Sequence, residues 1–369
     1  DRCYNRQLSL LRPFDIEAHI VIDWNPRRRD RPRALALPLR SGAGQYRVIE
    51  PLHALQDAAM VQSCVVMPMA GGAQRILQPL ELRRAQPDVL VLQHAVDDGQ
   101  LSQVRHYKRA APDTLIVQMV DDLLGEVPDK HPNQVFQSRE GHQRMVQTLR
   151  ASDRLIVTTE TLLQHYRQYV PDVRLVPNSL DRPWFALDVK RAPGERLRIG
   201  WIGAGQHQGD LELIAPIVAE FAAEVDWVFM GMSIDAIKPH LKEFHSFVSI
   251  ADYPAKMATL NLDIAIAPLQ DNLFNRCKSN LRLLEYGAMG WPVVCSDVFP
   301  YRTDDAPVLR CNTPEAWRAA LRRLIDDAAL RAQLGHQLQQ WVQEKYALQG
   351  LTQRWFEAIF APSQPTSPP

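Results

Sequence analysis

A lysine, a serine, an arginine and a glutamate fall at 278, 279, 282 and 285 of the run "CKSNLRLLEYGAMGWPVV", residues 277–294. At helical spacing Lys278, Arg282 and Glu285 share one face, opposite leucines and an alanine. A helix starting near Lys278 or Ser279 would present unpaired N–H groups and the positive end of its dipole, which suits an anion. Ser279 could cap that helix, and Lys278 would add a point charge for phosphate. Glu285, two turns further along, could accept hydrogen bonds from the two hydroxyls of a ribose. The set fits a nucleoside diphosphate. The same spacing also fits an exposed helix with an Arg282–Glu285 ion pair, and spacing alone does not separate the two.

The elements that must position these residues are α/β. Continuous apolar runs ending in polar residues suit parallel strands buried on both faces. "RALALPL", "SCVVMPM", "PDVLVLQHA", "DTLIVQMVDD", "DRLIVTTE" and "VRLVPNSLD" form a first series. After the turn-rich linker "RAPGE" at 191–195, a second series follows: "RLRIGWIGAG", "VDWVFMG", "FVSIADY", "LDIAIAPLQ" and "WPVVCSD". Helical sequence separates the strands and closes the chain from about residue 314 to 360. Two doubly wound, Rossmann-like domains are expected, with ligands beyond the carboxyl ends of their strands. The expected boundaries are 1–180 for the first domain, 181–360 for the second and 361–369 for a disordered tail. Residues 1–33, with the arginine-rich "NPRRRDRPR", form an extension of unassigned role.

The 369 residues carry 42 Lys+Arg against 42 Asp+Glu, so no overall field draws nucleic acid or an anionic membrane. No apolar run approaches the ~18 residues that span a bilayer, and no signal-peptide pattern opens the chain. The five cysteines (3, 64, 277, 295 and 311) show no CxxC spacing and suit reduced thiols in a cytoplasmic protein. Asp-x-Asp, HExxH, CxxC, Gly-x-Ser-x-Gly and Walker patterns are all absent, so no metal site is expected. The chain begins at Asp1 without Met, as a fragment or a processed chain would.

"KSNLRLLEYGAMGWPVVCSD" resembles the donor-site signature of GT-B glycosyltransferases, in particular the retaining family 4 type. "VPNSLD" at 176–181 resembles their interdomain joint, "RIGWIGAGQHQGDLELI" their first nucleotide-domain strand and loop, and "ASDRLIVTTETL" the last N-domain helix-to-strand unit. The resemblance implies a GT-B fold, with the two domains facing across a cleft and a nucleotide-sugar as donor. It places the ribose on Glu285 and the diphosphate near Lys278, Ser279 and Asn280. Gly203, Gly205 and His207 would approach the diphosphate from the first loop, and Tyr253 would lie by the base. One departure stands out: these enzymes carry a first glutamate where this chain has Cys277.

In the first domain, Gly42, Gly44 and Arg47 of "SGAGQYR" resemble the glycine loop that faces donor and acceptor. His94, at the end of a strand, stands where similar enzymes contact the sugar, and Asp121 with Asp122 could bind acceptor hydroxyls. Each has a plainer reading: a tight turn with a solvated arginine, a backbone-bonded histidine, and helix caps. His207 could likewise only cap its helix.

The expected protein is a metal-independent, retaining glycosyltransferase without a cofactor, using a UDP- or GDP-linked sugar. Lys278, His94 and Asp121 are its candidate catalytic residues. The acceptor is expected to be a hydroxyl of a glycan, lipid or protein, and no nucleic acid partner is expected. A cytoplasmic location fits, with attachment at the inner face of the membrane or to a larger assembly kept open. The alternatives are a non-catalytic GT-B-like sugar- or nucleotide-binding module and a nucleotide-sugar epimerase.

Overall fold

The computed structural model describes residues 30–39, 42–68, 75–93, 98–127, 138–189, 194–302 and 304–363. They group into two compact units. The first draws on Asp1–Asp121, Phe136–Pro177 and Leu351–Pro369, the second on Asp122–Val135 and Asn178–Gly350.

The first unit is built on a six-stranded parallel sheet. Its strands are β1 (Arg33–Leu37), β2 (Gln62–Val65), β3 (Val89–Gln93), β4 (Leu115–Val120), β5 (Arg154–Val157) and β6 (Val173–Leu175), in the order β2-β1-β3-β4-β5-β6. The sequences RALAL of β1 and VLVLQ of β3 are buried along their whole length, as strands covered on both faces must be. Leu35, Leu90 and Ile116 of the sheet pack with Leu82, Val104 and Tyr107 of the helices.

The second unit repeats the plan with β7 (Arg198–Gly203), β8 (Asp226–Gly231), β9 (Leu241–His245), β10 (Ile264–Ala267), β11 (Val293–Ser296) and β12 (Leu309–Cys311). The order β12-β11-β10-β7-β8-β9 is that of a dinucleotide-binding sheet, and every pairing is parallel. Trp201, Trp227, Phe229 and Ile266 meet Leu211, Ile214, Phe221 and Leu321 in its core.

Four features differ from the sequence expectation. "SGAGQYR" is not a loop: a helical turn at Gly42–Gly44 runs through a π-helical stretch, Gln45–Ile49, into the helix Glu50–Asp57. Glycine is needed at 44 because a Cβ there would sit 2.0 Å from the Leu39 carbonyl oxygen. "FVSIADY" is not a strand. The edge strand is β9, whose alternating half-buried and exposed residues hid it among polar ones. Strand β12 was not anticipated, its three residues being too short to carry a period.

Finally, the closing helix Thr352–Phe360 belongs to the first unit, not to the second domain. The Arg154 guanidinium, paired with Asp172 at 2.8 Å, donates to the carbonyls of Ala358, Ile359 and Ala361. Arg174 donates to those of Glu357 and Pro362. Two cations thus hold the negative end of that helix. Residues 1–29 and most of the linker and tail lie outside the described residues, and no described helix is long and apolar enough to cross a membrane.

Candidate functional site

In the second sheet β7 and β10 are neighbours, pairing Ile199 with Ile264 and Gly200 with Ala265. The chain leaves β7 towards β8 on one side and leaves β10 towards β11 on the other. The loops beyond their carboxyl ends therefore diverge, which opens a crevice at the topological switch point. Residues 204–207 form one wall and 268–285 the other.

The first wall begins at Gly203, where a Cβ would lie 2.3 Å from the Trp201 ring and 2.9 Å from Nη2 of Arg282. Gly205 has open space around it. His207 occupies the N-cap position of the helix Gln208–Phe221 without capping it through its side chain. Its buried imidazole is bonded on both nitrogens: Nδ1 lies 2.6 Å from Asp210 Oδ2, and Nε2 lies 3.1 Å from Nη2 of Arg282. Arginine can only donate, so Nε2 accepts and the proton sits on Nδ1, donated to Asp210. Burial, reinforced by Arg282, pushes the His207 pKa down to about 3. His207 is therefore a neutral bridge and not a basic group. The other Asp210 oxygen accepts from the Gln270 N–H at 2.7 Å and from Asn275 at 3.2 Å, tying the two walls together.

On the second wall Lys278 ends the short helix Leu273–Cys277. Its ammonium lies 3.3 Å from Asp122 and 4.5 Å from the Phe274 ring centroid. Asp122, expected to meet acceptor hydroxyls or to cap a helix, is thus the partner of Lys278. The helix bearing Glu285 is Leu281–Ala288, with Asn280 at the N-cap position. It starts slightly later than expected, but the Ser279 hydroxyl still accepts from the Leu281 N–H at 3.4 Å. Ser279 also accepts from Asn178 of the "PNSLD" run at 2.8 Å. Asn280 turns away from the role expected of it: its amide donates to the Tyr346 hydroxyl, which is in turn bonded to Asp304.

Glu285 is buried and accepts a 3.2 Å hydrogen bond from the Tyr253 hydroxyl. Tyr253 stacks nearly parallel on Phe247 at 5.8 Å and meets Trp184 edge-on. Burial and the neighbouring carboxylate raise the Tyr253 pKa well above its ordinary value, keeping it a donor. No Arg282–Glu285 ion pair forms, so the plainer reading of that helix face is not what is observed. Cys277 is buried and its thiol is pushed up to about 11 by burial, with Asp122 adding to the effect. It is neutral and cannot replace a carboxylate.

In the first unit the switch point lies between β1 and β3. Gly44 lies there, and Gln93 accepts from the Leu39 N–H at 2.8 Å. Arg47, expected to reach a cleft, is instead buried over the Trp355 ring at 4.6 Å and donates to the Val157 carbonyl. Burial lowers its pKa to about 9, and the charge of Asp121 opposes the shift. The Asp121 carbonyl accepts from Thr158. His94 lies outside the described residues.

Sequence reasoning did not single out Asp210 or Phe247, and it placed Arg282 on the candidate face, or in an ion pair with Glu285, without giving it a role of its own. The available signal was Arg282 one turn from both Lys278 and Glu285, on the face already identified. Among the described residues no group of three or more His, Cys, Asp or Glu side chains could hold a metal ion.

No family model matches the chain, and no curated protein matches it. Solved structures do. An alpha-glucosyltransferase in complex with UDP and a 13-mer DNA matches with a TM-score of 0.61 and 11% identity, over 89% of this chain and 98% of that one. Sucrose-phosphate synthase from Thermosynechococcus elongatus matches with a TM-score of 0.58 and 12% identity, over 88% and 97%. A UDP-N-acetylglucosamine 2-epimerase from Listeria monocytogenes matches with a TM-score of 0.54 and 10% identity, over 89% and 95%. The two parallel six-stranded sheets, each with its helices, together with these likenesses, establish that the chain has the GT-B fold of two Rossmann-like units.

Proposed function

We propose that the protein is a glycosyltransferase that moves a sugar from a UDP- or GDP-linked donor to a hydroxyl of a glycan, lipid or protein. One observation carries the reading. At the second-unit switch point, a buried carboxylate anchored by a tyrosine and a lysine stand on one wall of a crevice in a GT-B fold. Glu285 supplies an acceptor for ribose hydroxyls, and Lys278 a cation for the diphosphate. In the reaction the bond from sugar to diphosphate breaks and negative charge grows on the leaving oxygens. A preorganised cation there stabilises the transition state more than the ground state. Lys278 must exchange Asp122 for the phosphate as the donor binds. Retention and metal independence remain part of this proposal, motivated by the family resemblance and by the absence of Asp-x-Asp.

A second reading, a non-catalytic nucleotide-sugar-binding module, is favoured by Cys277. The neutral thiol stands where the resemblance expects a glutamate touching the donor sugar. Incubation with a panel of UDP- and GDP-sugars separates the readings. Release of nucleoside diphosphate supports transfer, and an isomerised donor sugar without any acceptor indicates an epimerase. A ligand at 100 times its Kd stabilises the fold by about 2.7 kcal/mol. A thermal shift of that size without turnover would leave the binding module.

A further inference from the structure

Arg282 is a cation with no carboxylate in direct contact among the described residues. Its Nη2 donates to a neutral imidazole, and its guanidinium carbon lies 5.3 Å from the Trp201 ring centroid. Its Nη1 is buried with no hydrogen-bond partner among the described residues. No carboxylate pairs with it among those residues: Glu285 is bonded to Tyr253, and Asp210 stands behind His207. Buried charges are ordinarily paired, because the ion loses its hydration and needs compensation. Here the neighbours are an aromatic face, an uncharged ring and the bare backbone of Gly203, where a Cβ would lie 2.9 Å from Nη2. Residue 282 as a whole is half-buried, so a phosphate reaches Nη1 only as the groups covering that atom shift on binding.

We propose that Arg282 is the anion hook of this crevice and that Asp210 and His207 position it. Asp210 fixes the imidazole proton on Nδ1, which leaves the Nε2 lone pair to hold Nη2 of Arg282. Nη1 then remains for a phosphoryl oxygen. A planar guanidinium with one edge held by the protein presents the other in a fixed direction, which a flexible lysine does not. The ligand class is a phosphate, either free or carried by a nucleoside. This explains why the loop after β7 bears a histidine and no lysine or arginine: its task is to accept from the cation on the facing helix. The inference rests on the same crevice as the transferase reading but needs no sugar donor for its test.

The 369-residue chain is titrated calorimetrically with inorganic pyrophosphate, UDP and uridine, and its melting temperature is recorded without ligand. Arg282→Met should weaken pyrophosphate and UDP at least tenfold and change uridine less than twofold. Its unliganded melting temperature measures the structural cost of leaving His207 Nε2 without its donor, which a selective loss of phosphate ligands over uridine must exceed. His207→Phe should weaken pyrophosphate in the same direction, and His207→Gln, which keeps an acceptor, should restore much of the affinity. Where Arg282→Met does not fold, Arg282→Lys serves: it keeps the charge without the planar fork and should weaken pyrophosphate several-fold. UDP binding far more tightly than pyrophosphate assigns the phosphate to a nucleotide, and comparable affinities assign it to free phosphate. A wild-type protein blind to pyrophosphate and UDP sinks the proposal, as does Arg282→Met with wild-type pyrophosphate affinity. Unchanged affinity in His207→Phe removes the relay. Pyrophosphate held through Arg282 in a protein that turns over no donor retires the transferase reading and leaves this one standing.

Discussion

Changing Glu285 to Gln isolates the charge of one carboxylate from its shape. In the wild type the buried carboxylate accepts from the Tyr253 hydroxyl at 3.2 Å. The glutamine carbonyl can accept that same bond, so packing against Tyr253, Phe247 and Trp184 is preserved and the empty protein should unfold as before. The bonds to ligand hydroxyls suffer, because a neutral amide is a weaker acceptor than a carboxylate. A hydrogen bond to a charged group contributes about 1.5–3 kcal/mol, against about 0.5–1.5 kcal/mol for a neutral one. With two ribose hydroxyls involved, the loss is about 2 kcal/mol, or roughly 30-fold in Kd. Calorimetric titration with UDP and GDP measures it, and the 2′,3′-dideoxy analogues provide the control. A dideoxy nucleotide offers no hydroxyl to Glu285, so its affinity should be nearly the same for both proteins. Equal losses for ribo and dideoxy ligands would refute the ribose assignment. So would unchanged nucleotide affinity accompanied by a lower melting temperature, which would make Glu285 a structural partner of Tyr253 alone.

Lys278→Ala should lower kcat by roughly a hundredfold, by analogy with removing one preorganised donor; it should weaken a nucleoside diphosphate far more than the bare nucleoside, and wild-type turnover would leave the lysine as a partner of Asp122 only. His207 gives stability a pH dependence. The unfolded chain takes up its proton near pH 6.5 while the folded chain resists down to about 3, so stability is full above 6.5 and falls as the pH drops through that window. Between pH 7 and pH 5 the wild type should lose about 2 kcal/mol more in urea denaturation than His207→Gln, and parallel losses would mean that the imidazole is protonated in the folded state. Gly203→Ala places a methyl against Trp201 and Arg282, so about 1–3 kcal/mol of destabilisation is expected, and a neutral effect would show that the β7 end can shift away.

Much of the fold was legible because its strands are buried on both faces. ALAL, VLVL and IAIA are unbroken apolar stretches within their strands, and covered parallel strands in alternation with helices account for so many. Legibility failed where burial is partial or local. The edge strand Leu241–His245 is half exposed, and apolar FVSIAD drew attention to a segment whose Phe247 serves to stack on Tyr253. The closing helix follows two second-unit helices in sequence, and contacts made across about two hundred residues of chain by Arg154 and Arg174, with the packing of Trp355 against Arg47, assign it to the first unit. In the candidate site, Glu285 and Lys278 were singled out by the family resemblance added to type and spacing, since spacing alone left the plain helix face open. The roles of Asp122, Asp210 and Arg282 could not be picked out, because each depends on a partner brought from a distant loop. His207 was found by its place after β7, but its neutrality follows from burial and from bonds on both nitrogens, which the sequence does not display.

The central claim is that the second unit holds a nucleoside diphosphate between the loops after β7 and β10. Titration of the wild-type chain with UDP and GDP in the presence of EDTA tests it most directly. One of the two should bind saturably at one site per chain, with affinity lost at least tenfold in both Glu285→Gln and Arg282→Met. Binding of neither nucleotide, or binding that both variants leave untouched, would contradict the account.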